Sequence, residues 1–147
     1  MAITARYILM ADDVRREDNG KFIILGMYTP DMVVQQIPFL MPTLTFFLNL
    51  ESDRPGNFGF KTKVVHQDTG TVLQQTVAMG LLAITDPQLP TMIPVKFVGV
   101  IFNAQGLYSF SLEIENQPTQ PLVTTFNVQL AVAQMNQIPM PGGMNQR

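Results

Sequence analysis

Along most of the 147-residue chain, apolar and polar residues alternate with period two. Within Tyr108–Glu115, Tyr108, Phe110, Leu112 and Ile114 fall on one face, and Ser109, Ser111, Glu113 and Glu115 on the other. That is the pattern of a strand with one dry and one wet side. Leu44, Phe46, Leu48 and Leu50 oppose Thr45, Asn49 and Glu51, with Phe47 breaking the polar side. Phe60, Thr62 and Val64 oppose Lys61 and Lys63, and Thr124, Phe126, Val128, Leu130 and Val132 oppose Asn127 and Gln129. No stretch has the 3.6 period of a helix, and no internal repeat is present. Asp18-Asn19-Gly20, Asp68-Thr69-Gly70 and the longer Asn103–Gly106 are turn sequences of the kind that join hairpins. Three prolines between Asp86 and Pro94 bar a central strand there, and that segment is expected to cross between two sheets. Strands are predicted near 3–11, 20–28, 31–36, 42–51, 58–67, 70–80, 94–102, 106–116 and 121–133. Their number and spacing predict an all-β fold, a two-sheet antiparallel β-sandwich, immunoglobulin-like or jelly-roll-like, with a closed barrel as the other candidate.

Two stretches break the alternation. Phe22-Ile23-Ile24-Leu25-Gly26-Met27-Tyr28 is apolar on both faces, and 3–11 behaves similarly. A strand of this kind sits centrally with both sides covered, or holds one face against a partner. A two-layer sandwich hides only one face of each sheet, so the other face becomes an exposed apolar patch unless a loop or the tail covers it. Residues 1–133 are read as the sandwich domain, and 134–147 as an irregular Met/Pro/Gln-rich tail, flexible or an arm. Phe22, Ile23, Ile24, Leu25 and Met27, with Phe47 and the tail residues Met135, Ile138 and Met140, are the apolar interface candidates.

Composition sharpens this picture. Charged residues make up 14% of the chain, against about 25% in a typical soluble domain. Neutral polar residues, Gln above all, fill the gap beside ten Met. Such a surface is weakly protected against association, which favours self-association or a protein partner. The net charge is −2 with no basic run, so nucleic-acid binding is not expected. No apolar run is long enough to span a membrane as a helix, and the N-terminus has no signal-peptide pattern. The expected location is therefore cytoplasmic, or the virion if the chain is phage-encoded.

Little chemistry is on offer. Without cysteine there is no thiol catalysis, thiolate zinc or iron–sulfur ligation. The single histidine, His66, is read as a partly exposed strand-end residue, because one His cannot build a two-His metal site and a general base needs a positioned partner. No nucleophile elbow, phosphate loop or dinucleotide fingerprint is present. The dense charge lies in Ala11–Lys21, where Asp12, Asp13, Arg15, Arg16, Glu17, Asp18 and Lys21 hold seven of the chain's twenty charges. On a strand Asp12 and Asp13 point to opposite faces, so they cannot act as a carboxylate pair. The cluster reads as a structural or interaction device. Strand one ends near Ala11, the chain turns at Asp18–Gly20, and Arg15 or Arg16 pairs with Asp12 or Asp13.

The run Ala11-Asp12-Asp13-Val14-Arg15, with Glu17, Gly20-Lys21, Gly26 and Tyr28, resembles the opening of a family of short bacterial and phage proteins of unknown function. Its pattern is D-D-V-R-x-E-x-x-G-K, followed by an apolar strand ending in G-x-Y. Ala11 departs from the cysteine of many members. The resemblance covers roughly residues 5–45 and implies a fold and a phage or bacterial setting, not an activity. Together these features suggest a protein that is not an enzyme, needs no cofactor or metal, and works through protein–protein contacts, for example as a capsid- or tail-associated virion subunit. The alternative is a small-ligand-binding module with a pocket of about 300 Å3 or more at one sandwich end, near Tyr28, Phe58 and Tyr108. An enzyme would require at least two of Asp12, Asp13, Glu17 and His66 to face one cleft.

Overall fold

A computed structural model describes residues 2–116 and 120–131. It contains nine strands: β1 (Ile3–Arg16), β2 (Phe22–Tyr28), β3 (Asp31–Val34), β4 (Phe39–Ser52), β5 (Gly56–His66), β6 (Thr71–Ile84), β7 (Thr91–Phe102), β8 (Gly106–Ile114) and β9 (Leu122–Leu130). One sheet has the order β2-β1-β4-β7 and the other β3-β9-β8-β5-β6. Pairing is antiparallel throughout the described residues except between β3 and β9, which run parallel. No described helix is long and apolar enough to cross a membrane. The tail candidates Met135, Ile138 and Met140 lie outside the described residues.

The alternating residues build the core. Leu44, Phe46, Leu48 and Leu50 of β4 face Tyr108, Phe110, Leu112 and Ile114 of β8, all of them buried. The rings of Phe46 and Phe110 stack across the two sheets at 4.1 Å, and Tyr108 stacks on Phe126 at 5.7 Å. Burying each such side chain is worth roughly 1.5–3 kcal/mol.

The connections differ from expectation in three ways. β1 runs on to Arg16 rather than ending near Ala11, so the charged cluster lies mostly within a strand, paired with β2 from Arg16↔Phe22 to Met10↔Tyr28. Asn103–Gly106 is not a hairpin, because it carries the chain from β7 in one sheet to β8 in the other. Between β6 and β7 the chain does cross between sheets, but Pro94 falls inside β7, opposite Phe47. An edge strand can hold a residue without an N–H, and β7 is an edge.

Candidate interaction surface

The β1–β2 hairpin joins the charged cluster to the apolar strand. Its turn closes with the Gly20 N–H donating to Glu17 O (2.9 Å) and the Glu17 N–H to Lys21 O (2.8 Å). Gly20 has φ +86°, which glycine adopts without a Cβ penalty. Asn19 Oδ1 accepts the Lys21 N–H at 3.0 Å. Glu17 and Lys21 thus take part in the turn through their backbones.

Farther along, the two aspartates separate as strand geometry requires. Asp12 accepts the Tyr28 hydroxyl at 2.5 Å across the ladder. Burial, and then the Asp12 hydrogen bond and charge, raise the Tyr28 pKa. Gly26 lies beside this contact with φ +65°, and a Cβ there would collide with the Asp12 carboxylate. Asp13 faces the other way and binds two cations, Lys96 Nζ and Arg15 Nε, both at 3.1 Å. The hydrogen bonds from Lys96 and then Arg15 hold its carboxyl below the usual range. The Val14 N–H adds a third bond at 2.9 Å. Arg16 lies over the Phe22 ring at 5.7 Å, a cation–π contact. Arg15 is therefore a partner of Asp13, as the sequence suggests. Lys96 is the partner it hides, since nothing local marks a residue some eighty positions away.

This hairpin folds partly over the outer face of its own sheet. Ala11, Val14 and Phe47 form a second small core, with Leu9 and Phe22 packed against it. The Phe22 and Phe47 rings meet edge to face at 4.9 Å. Phe47 is 3% exposed, so its assignment to an interface is corrected: the hairpin already covers it. Phe22 is half-buried for the same reason. Thr45 and Asn49 flank Phe47 on this face, and Thr45 Oγ1 and Asn49 Oδ1 are buried without a hydrogen-bond partner among the described residues. Stranding such atoms costs about 1–3 kcal/mol each.

The rest of β2 is uncovered. Ile23 (41% exposed), Leu25 (39%) and Met27 (59%) alternate with Ile24 (36%). β2 ends its sheet, so it is not the central strand its two apolar faces suggest. Its outer edge has no partner strand among the described residues, which leaves backbone groups free to pair with another strand. A second exposed row, Val77, Met79 and Leu81, lies on β6, the end strand of the other sheet. Sequence reasoning missed it, although residues 77–82 also carry apolar side chains on alternate positions of both faces.

The single histidine lies elsewhere, beside a recess. A cavity of about 330 Å3 is bounded by His66, Leu73, Gln74, Gln75, Ile101 and Tyr108, among others. Its size meets the pocket expectation, but Tyr28 and Phe58 do not line it. A bulge in β6 shapes one wall: the register with β5 shifts between Thr62 and Val64, and Thr76 plugs the gap. Thr76 accepts the Val64 N–H (2.8 Å) and donates to Leu73 O (2.5 Å). His66 is buried rather than partly exposed. Its Nε2 lies 2.9 Å from Gln105 O and its Nδ1 2.8 Å from Thr69 Oγ1. The Tyr108 hydroxyl donates to Ala104 O at 2.6 Å, and burial raises its pKa. His66, Thr69, Thr71 and Tyr108 of the cavity wall are thus bonded to the protein itself, while Gln74 and Gln75 are exposed. Asp12, Asp13, Glu17 and His66 do not converge on one cleft, and no described group of three His, Cys, Asp or Glu could hold a metal ion.

A model of a family of unknown function, DUF6941, matches residues 6–129. The chain belongs to that family. The expectation of an uncharacterised family is met, and the match reaches from β1 through β9, well beyond the opening residues that suggested it. No curated protein matches this DUF6941 chain. Among solved structures it is similar to the Pseudomonas fluorescens alkylpurine DNA glycosylase AlkC bound to DNA containing an abasic site analog. That likeness has 8% identity and a TM-score of 0.43, and covers 86% of this chain and 30% of the glycosylase. It supports no statement about activity.

Proposed function

We propose that this DUF6941 protein is non-enzymatic and works by accepting a strand of another protein on the free edge of β2. The carrying observation is a strand that is apolar on both faces, exposed, and, among the described residues, open along one edge. Strand addition uses these features together: the backbone edge supplies affinity, and alternate side chains supply specificity. Low charge on the chain as a whole agrees with a surface meant to be covered. The most concrete setting is a capsid- or tail-associated accessory subunit, supported by the resemblance of the opening to bacterial and phage proteins. Size-exclusion chromatography with light scattering, alone and with the products of neighbouring genes, tests this reading. Complex formation by the native chain that is lost in Leu25→Lys and Met27→Lys, with folding unchanged, is the expected result. A native chain that stays monomeric and binds no candidate overturns it.

The cavity at His66 and Tyr108 favours a second reading, a module for a small uncharged ligand. Amide NMR shifts at Gln74 and Gln75 on titration with a neutral fragment set would support it, and their absence would remove it.

A further inference from the structure

The two sides of the sandwich close differently. On one, β6 and β7 meet where the chain crosses between sheets. On the other, Thr29–Pro30 carries the chain from β2 to β3, and both of these end strands are short. β2 covers only the Met10–Arg16 half of β1, and β3 covers only Asn127–Leu130 of β9. Residues 3–9 of β1 and 122–126 of β9 therefore have strand edges with no partner among the described residues. They face one another across two adjoining recesses of about 380 and 230 Å3, both of which include Ile8 and Thr124. Of the described lining residues only Arg6 is charged, and it lies 3.5 Å from Glu51.

We propose that this seam is a strand-acceptor site whose occupant is the chain's own tail, with Ile138 and Met140 entering it and the backbone pairing antiparallel with Leu122–Phe126. The inference does not rest on the free edge of β2 and goes beyond the reading above. Three observations select the occupant. The first is reach. Ala131 is anchored beside β3, its N–H donating to Val34 O at 2.8 Å. The level of Phe126 is five residues back, about 17 Å. Residues 132–137 span up to about 20 Å, enough to return past β3 and bring Ile138 to that level. The second is hydrogen-bonding capacity. In an extended chain the backbone groups of successive residues point to opposite edges. Pro139 and Pro141 thus remove donors from one edge only, while Asn136, Ile138 and Met140 keep theirs on the other. A segment with this pattern can pair along one side and present prolines to solvent, which is how natural sheets end an edge. The third is charge: the tail has none from Val132 to Gln146, matching the nearly neutral seam.

A tether of this length gives an effective concentration of order millimolar. At micromolar protein the chain's own tail therefore outcompetes a neighbour's by about a thousandfold.

Hydrogen exchange on the full chain tests the proposal. In the double variant Ile138→Asp/Met140→Asp, amides of Leu122–Phe126 should exchange about tenfold faster or more than in the native chain, with β8 unchanged. A peptide of residues 132–147 added to that variant should restore the protection. Equal exchange in the two chains overturns the proposal. Protection that grows with protein concentration also overturns it, because it would place a neighbour's tail or another copy in the seam.

Discussion

Strands β2 and β4 both carry apolar side chains on two faces, yet the fold treats them differently. β4 lies inside its sheet, between β1 and β7, and its outer residue Phe47 is sealed by Val14 and Phe22 of the curled hairpin. β2 ends the same sheet and has nothing beyond it among the described residues. Its side chains from Ile23 to Met27 are of the same kind but remain partly in water. Two-sided apolarity thus has two physical outcomes, a second small core or an open edge. The position of the strand in the sheet selects between them.

The largest expected effect comes from testing the two faces side by side. Phe47→Ala should cost about 3–5 kcal/mol in denaturant unfolding, as for a buried phenylalanine. Leu25→Ala should stay within about 0.5 kcal/mol, as for a surface site. Equal costs would break the distinction between covered and open faces.

Gly26→Ala probes how the open strand is held to β1. The positive φ and the collision with Asp12 should cost about 1–3 kcal/mol and loosen the Tyr28–Asp12 bond, visible in the same unfolding experiment. A neutral result would show that β2 is not tied down there.

The smallest effect concerns Asp13, whose bonds to Lys96 and Arg15 tie the covering hairpin to β7. The hydrogen bonds from Lys96 and then Arg15 hold its carboxyl below the usual aspartate value of 3.8. The associated stability is therefore present above that value and lost as pH falls through the lower folded value. Asp13→Asn should lower the neutral plateau by the small amount the clamp contributes and flatten the acid limb below about pH 4, so that the two curves converge at low pH. Identical acid limbs in the two chains would remove Asp13 as a clamp.

Much of this was legible in the chain. Side-chain period is a local property, so the alternation at 44–50 and 108–114 revealed the strands and their core faces directly. Turn chemistry at Asp18–Gly20 and Asp68–Gly70 marked the β1–β2 and β5–β6 hairpins for the same reason. The opposed directions of Asp12 and Asp13 also follow from strand geometry alone. What lay beyond local reading was every relation between distant residues: that Lys96 meets Asp13, that the Val14–Phe22 hairpin bends onto Phe47, that His66 is walled in by Gln105 and Thr69, and that β2 ends its sheet. The residues 22–28 are equally apolar whether a strand lies beside them or not, because hydrophobic burial has no direction and can be satisfied by any neighbour. Which neighbour arrives depends on the order of strands in the sheet, and that order is settled when the whole chain closes its two layers together.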